Sequence, residues 1–187
     1  RLSSCGPFPT SLWITISGER YSKNVTTRST YSLSEIITNS PRPDCVNDAY
    51  LEFLAEVKAS RNLDIDIELG LQTVNYHNLV DINRGHTLAE YIDAVLRIKR
   101  YGLSTTAHVI LNLPGDTELD VIETAKIISA LGVDFVKLHS LYVVRGTELG
   151  RRYEAGEFVM ISLKEYVERV VTFLDYHPVD LSQPAFG

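Results

Sequence analysis

Tyr50, Phe53, Leu54 and Val57 fall at i, i+3, i+4 and i+7, the spacing of one helical face, and predict a helix of about three turns. The period then changes. Leu63, Ile65, Ile67, Leu69 and Leu71 alternate with Asp64, Asp66, Glu68, Gly70 and Gln72, which predicts a strand with one apolar and one polar face. A repeat follows it. Thr87-Leu88-Ala89-Glu90 and Thr117-Glu118-Leu119-Asp120 both read as capping boxes, in which the two side chains satisfy free amides at a helix start. Gly102 and Gly132 stand where the two helices should end, because glycine takes the left-handed closing conformation cheaply. Each is followed by an apolar, β-branched run, Leu103 to Leu111 and Val133 to Val144. Ser162-Leu163-Lys164-Glu165 caps a last helix, with Val167, Val170, Val171 and Leu174 on one face, and His177-Pro178 ends it.

Strand and helix thus alternate every 30 to 40 residues or so, which argues parallel strands joined by helical crossovers in an α/β layer or barrel. Three strands are evident in the regular part, whereas a closed eight-stranded barrel takes about 250 residues. A partial barrel or a small open sheet is the expected architecture. The regular pattern runs from residue 41 to 180. Residues 1–40 are rich in Ser and Thr without a sustained period, although Leu12 to Ile16 and Leu33 to Ile37 could be short strands, and 181–187 form a tail. Asn24-Val25-Thr26 fits a glycosylation sequon and is read as chance.

Composition narrows the function. The chain of 187 residues is 44% hydrophobic and 22% charged, which is ordinary for a globular domain. A net charge of −6 argues against nucleic-acid binding through bulk charge. No apolar run reaches the length of a membrane span, and no apolar leader is evident, so a cytoplasmic protein without membrane contact is expected. Cys5 and Cys45 supply neither a disulfide framework nor a zinc site.

In parallel α/β folds the chemistry lies at the carboxyl ends of the strands. At the first such end, Glu68, Gly70 and Gln72 share the polar face. At the second, His108, Ile110 and Asn112 share a face, and Leu113-Pro114-Gly115-Asp116-Thr117 reads as a turn and a helix cap. At the third, Lys137 and His139 share a face. Arg84, just before the capped helix at Thr87, offers a rigid donor fork suited to a carboxylate or phosphate. A surface arginine and a core histidine remain the plain alternatives.

Three segments occur in order: Glu68-Leu69-Gly70-Leu71-Gln72-Thr73, Ile82-Asn83-Arg84-Gly85-His86-Thr87 and Ala107-His108-Val109-Ile110-Leu111-Asn112-Leu113-Pro114-Gly115-Asp116-Thr117. Together they resemble the radical S-adenosylmethionine superfamily. Pro41-Arg42-Pro43-Asp44-Cys45, Lys137-Leu138-His139, Arg145-Gly146-Thr147 and Tyr153 to Phe158 are similar to its bacterial YhcC-type group, and related motifs occur in the Elongator catalytic subunit and coproporphyrinogen-type enzymes. The resemblance implies a partial (β/α) barrel whose [4Fe-4S] cluster cleaves S-adenosylmethionine, giving a radical that abstracts hydrogen from an unidentified substrate, RNA among the candidates. By the same resemblance Gln72 would meet the ribose hydroxyls and Arg84 the methionine carboxylate. His108, Leu113 and Glu68 would lie on the cofactor side, and Lys137 and His139 on the substrate side. Asn112 stands where relatives have glycine.

One departure matters most. The family holds its cluster with Cys-x-x-x-Cys-x-x-Cys, and iron–sulfur clusters require such thiolates. Cys5 and Cys45 cannot provide that motif. The resemblance therefore implies the carboxyl-side portion of a radical enzyme, inactive as given, with its amino-terminal strands incomplete. An exposed sheet edge would favour self-association. The alternative is a cluster-free α/β module binding a nucleoside or an anion.

Overall fold

The computed structural model describes residues 36–177. The strand expected at Leu12 to Ile16 and the Asn24 sequon lie outside these residues. The order of elements is β1 (Ile36–Asn39), a short 3-10 turn (Pro43–Cys45), α1 (Asp48–Arg61), β2 (Asp64–Gln72), α2 (Tyr76–Asp81), α3 (Leu88–Arg100), β3 (Ser104–Ile110), α4 (Glu118–Ala130), β4 (Phe135–His139), α5 (Glu148–Glu154) and α6 (Leu163–Tyr176). The four strands form one parallel sheet in the order β1-β2-β3-β4, so neighbours in sequence are neighbours in space, as short crossovers favour.

The helix boundaries follow local chemistry. Glu90 accepts a hydrogen bond from the Thr87 amide at 2.6 Å, Asp120 from the Thr117 amide at 2.7 Å and Glu165 from the Ser162 amide at 2.8 Å, completing capping boxes at α3, α4 and α6. Gly102 and Gly132 follow α3 and α4 at φ values of 67° and 61°, a conformation costly for a side chain with a Cβ.

Side chains of β2 and β3 sort cleanly by face. Ile65, Ile67, Leu69 and Leu71 of β2 and Ala107 and Val109 of β3 are buried with Leu51 and Leu54 of α1, Tyr91, Val95 and Ile98 of α3, Val121 and Ile128 of α4 and Phe173 of α6. That layer of helices leaves the opposite face of the sheet to Asp66, Glu68, Gly70, Thr106, His108, Lys137 and His139.

Two helical faces differ from expectation. Phe53 is 59% exposed, and Leu51 takes its place beneath α1. On α6 the core contact is Phe173, supported by Tyr166 and Val170, whereas Val167, Val171 and Leu174 are exposed. Both helices carry more apolar residues than one face holds, so periodicity alone allowed two choices. The apolar run after Gly132 yields a strand of only five residues, ending at His139 rather than Val144. The expectation of three strands undercounts the described sheet by one: β1 overlaps only the end of the Leu33 to Ile37 piece. The short α2 carried no periodic signal. Among the described residues no helix is long and apolar enough to cross a membrane.

Candidate functional site

The irregular end of β2 shapes the site. The register with β3 shifts between Gly70 and Gln72, and Gln72 adopts a left-handed φ of 70°. Such a value is unfavourable for a residue with a side chain and recurs where geometry serves a site. The shift turns Gln72 toward Gly70 and Arg84. A Cβ built on Gly70 would stand 2.1 Å from Arg84 Nη2 and 2.5 Å from Gln72 Nε2. Gly70 is therefore the only size of residue that leaves both groups where they are.

Arg84 lies on the loop between α2 and α3. Its Nη2 donates to the Gly70 carbonyl at 3.2 Å and its Nε to His86 Nε2 at 3.0 Å. These bonds use two of the five guanidinium N–H groups. The side chain is half-buried, and burial, then the nearby Arg42 charge, pull its pKa below the usual arginine value. Among the described residues no carboxylate pairs with it in an ion bridge, although Asp44 is close enough to be felt. A partly desolvated cation without a paired anion is a place where a ligand anion would be favourable.

His86 is buried, and burial first, with the Arg84 charge acting in the same sense, lowers its pKa below 6.5. Its Nδ1 lies 3.3 Å from the Thr87 carbonyl, which assigns the ring proton to Nδ1 and leaves Nε2 to accept from Arg84. This partner of Arg84 was not singled out from the sequence. Its signal was spacing alone, since residue 86 follows Arg84 by two in an extended loop.

Three neighbouring strands bring a second group together on the polar face. Glu68 Oε1 accepts from Lys137 Nζ at 2.7 Å, and Glu68 Oε2 lies 2.7 Å from His108 Nε2. His108 Nδ1 lies 2.8 Å from His139 Nε2. The register places Gly70 beside His108, and His108 beside Lys137, which explains the contact of residues 69 positions apart. Burial acts to raise the Glu68 pKa, but hydrogen bonds from Lys137 and His108 outweigh it and hold the carboxyl below its ordinary value. Burial lowers the His108 pKa, with Glu68 opposing.

The loop after β3 is fixed from two sides. Leu113 is buried and Gly115 has a φ of 87°. Asn112 Oδ1 accepts from the Leu141 amide at 2.6 Å, so this side chain ties the loop to the segment after β4. Asp116 is buried against Asn78 and Thr73, and burial pushes its pKa up to about 6. From α6, Arg169 donates to the carbonyls of Leu111 and Asp116, both at 2.8 Å. Asn78, Asp116 and Arg169 went unrecognised in the sequence as a unit, because their contacts span 38 and 53 positions and follow no local pattern.

The residues expected at the cofactor side thus divide in two. Gln72 and Arg84 converge on Gly70, while Glu68 and His108 join Lys137 and His139 in a separate network. Leu113 lies in the loop that Arg169 braces. Among the described residues, no group of three or more His, Cys, Asp or Glu side chains is placed to hold a metal ion.

Four parallel strands with helices packed on one face, and polar groups gathered on the other, form an α/β layer of the kind that makes a barrel wall. Comparison with known proteins specifies the class. Residues 19–128 match the family model described as the radical SAM superfamily, and residues 133–182 match that of the radical SAM C-terminal domain. The chain belongs to the radical SAM superfamily. It is 38% identical over 125 residues to the protein YhcC of Escherichia coli, a match covering 67% of this chain and 40% of that protein. It is 30% identical over 130 residues to a tRNA uridine(34) acetyltransferase of Methanocaldococcus jannaschii, covering 68% of this chain and 23% of that enzyme. The solved structure of Methanocaldococcus infernus Elp3 superposes with a TM-score of 0.66 at 24% identity, over 75% of this chain and 33% of that one. The chain therefore spans less than half the length of these relatives.

Proposed function

We propose that this chain forms the S-adenosylmethionine-binding wall of a radical-type barrel, and that it does not carry the radical chemistry on its own. The observation that carries this reading is the convergence of Arg84 and Gln72 over the bare Cα of Gly70. The Arg84 N–H groups left without an acceptor among the described residues suit a carboxylate, and the Gln72 amide can donate to or accept from a hydroxyl. In this reading Arg84 holds the methionine carboxylate and Gln72 the ribose hydroxyls, with Leu113 bordering the base. Glu68 and His108, on the same polar face of β2 and β3, stand on the cofactor side in this reading.

The donor set fits the nucleoside and amino-acid parts of the cofactor. It does not fit the iron–sulfur cluster that the family uses. Three thiolates are needed to hold such a cluster with one iron open, and the 187 residues include two cysteines. No step is derived through that cluster. For the parent reaction we infer a substrate related to RNA, supported by the tRNA named for one relative.

Calorimetry tests the reading. S-adenosylmethionine and S-adenosylhomocysteine should both give heat with the chain, weakly, because the iron contact is lacking. Arg84→Ala should weaken both about tenfold or more, the worth of charge-assisted hydrogen bonds. Heat that is indifferent to Arg84 but present with phosphate would favour the simpler anion-binding module. No heat with either nucleoside removes the reading.

A further inference from the structure

We propose that His139, His108 and Glu68 form a proton relay, in which His139 takes a proton from a substrate and His108 carries the resulting charge against Glu68. The geometry fixes the direction. Glu68 is held ionised by Lys137, which donates to Oε1 at 2.7 Å, so Oε2 can only accept from His108 Nε2. A neutral imidazole has one N–H, so His108 Nδ1 is then bare. It accepts from His139 Nε2 at 2.8 Å. His139 in turn is left with a bare Nδ1 at the exposed end of β4. Every ring nitrogen along the line has one assigned role, and His139, whose Nδ1 is left to accept, is an exposed residue.

The step balances without any co-reactant. A hydroxyl, thiol or protonated nitrogen of the substrate gives its proton to His139 Nδ1. His139 passes its Nε2 proton to His108 Nδ1. His139 is again neutral, in its other tautomer, and the positive charge sits on His108 beside the Glu68 carboxylate. The interaction of a base with an orienting second group and a carboxylate is a general device of acid–base catalysis, and here the carboxylate of Glu68 is partly buried. The charged groups that bear on this line are Glu68 and Lys137, with His139 itself acting on His108. Asp66, one pleat earlier on β2, is buried and bonded to Thr106 at 2.6 Å, so it does not compete for His108.

The relay gives the polar face a task that holding a cofactor does not require: removing a proton from a substrate docked at the carboxyl ends of β3 and β4. Its placement beside the cofactor rests on the reading above. The relay's own test uses no cofactor, so the two can fail separately.

The test has two readouts on the full chain. Long-range proton–nitrogen spectra of the imidazoles report tautomers directly. The relay predicts protons on Nε2 of both His108 and His139. A second readout is acylation of His139 by diethyl pyrocarbonate, followed by peptide mass spectrometry, with the exposed His77 as the internal control. Glu68→Gln should slow acylation of His139 several-fold and leave His77 unchanged. An Nδ1–H tautomer at His139 overturns the proposal, whether or not the variant folds. So does acylation of His139 that is indifferent to Glu68→Gln in a folded variant.

Discussion

His86 Nε2 accepts a hydrogen bond from Arg84 Nε at 3.0 Å, so a buried neutral histidine aims the arginine poised over Gly70. The bond exists only while that nitrogen is unprotonated. Because burial depresses the His86 pKa, its contribution to stability is complete above about 6.5 and is lost as pH falls through the depressed folded value. His86→Gln keeps an acceptor for Arg84 and removes the titration. The expected outcome is a melting temperature that declines less steeply between pH 7 and pH 5 in His86→Gln than in the parent chain. Equal slopes would show that His86 does not act on Arg84 in this way.

Asp116 predicts the opposite sign. Its pKa is raised from 3.8 to about 6, so its contribution is fully present below about 3.8 and lost as pH rises through about 6. At neutral pH the ionised carboxyl is buried at a cost on the order of 2 kcal/mol. Asp116→Asn retains an oxygen to accept from Asn78 and removes the charge. It should raise the melting temperature by several degrees at pH 8 and by much less at pH 4.5. Thermal scans at the two values decide the matter, and a uniform loss at both would mean that the charge itself is needed there.

The face assignments give a stability prediction. Leu69 is fully buried under the helices, whereas Phe53 stands mostly in water. Leu69→Ala should cost about 2–5 kcal/mol. Phe53→Ala should stay within about 0.5 kcal/mol, as surface changes usually do. Denaturant titrations of the two variants measure both directly. A large loss at Phe53 would mean that this face of α1 is covered.

Much of this was legible in the sequence because the strongest signals are local. Period two along Leu63 to Gln72, three capping boxes and two closing glycines place β2, α3, α4 and α6 without any tertiary information. The polar face of β2 was legible too, since alternation alone puts Glu68, Gly70 and Gln72 together. What was not legible depends on register and packing. The bulge that swings Gln72 toward Arg84 follows from how β2 meets β3. The alignment of Glu68, His108, Lys137 and His139 needs three strands in a specific offset. Arg169 reaches the loop after β3 only because α6 packs on α4. On α1 and α6 the surplus of apolar residues hid which stripe faces the core, and only Leu51 and Phe173 in place settle it.

The central claim is that Arg84 and Gln72 make a ligand site because Gly70 leaves them room, and Gly70→Ala tests it most directly. The added methyl would meet the ends of two flexible side chains rather than backbone, so the fold should tolerate it while both groups are pushed aside. The measurement is calorimetry of S-adenosylhomocysteine with the parent chain and with Gly70→Ala, alongside their melting temperatures. The expected result is binding to the parent, at least a tenfold loss in the variant, and melting temperatures within a few degrees of one another. Unchanged binding in a folded Gly70→Ala variant would contradict it.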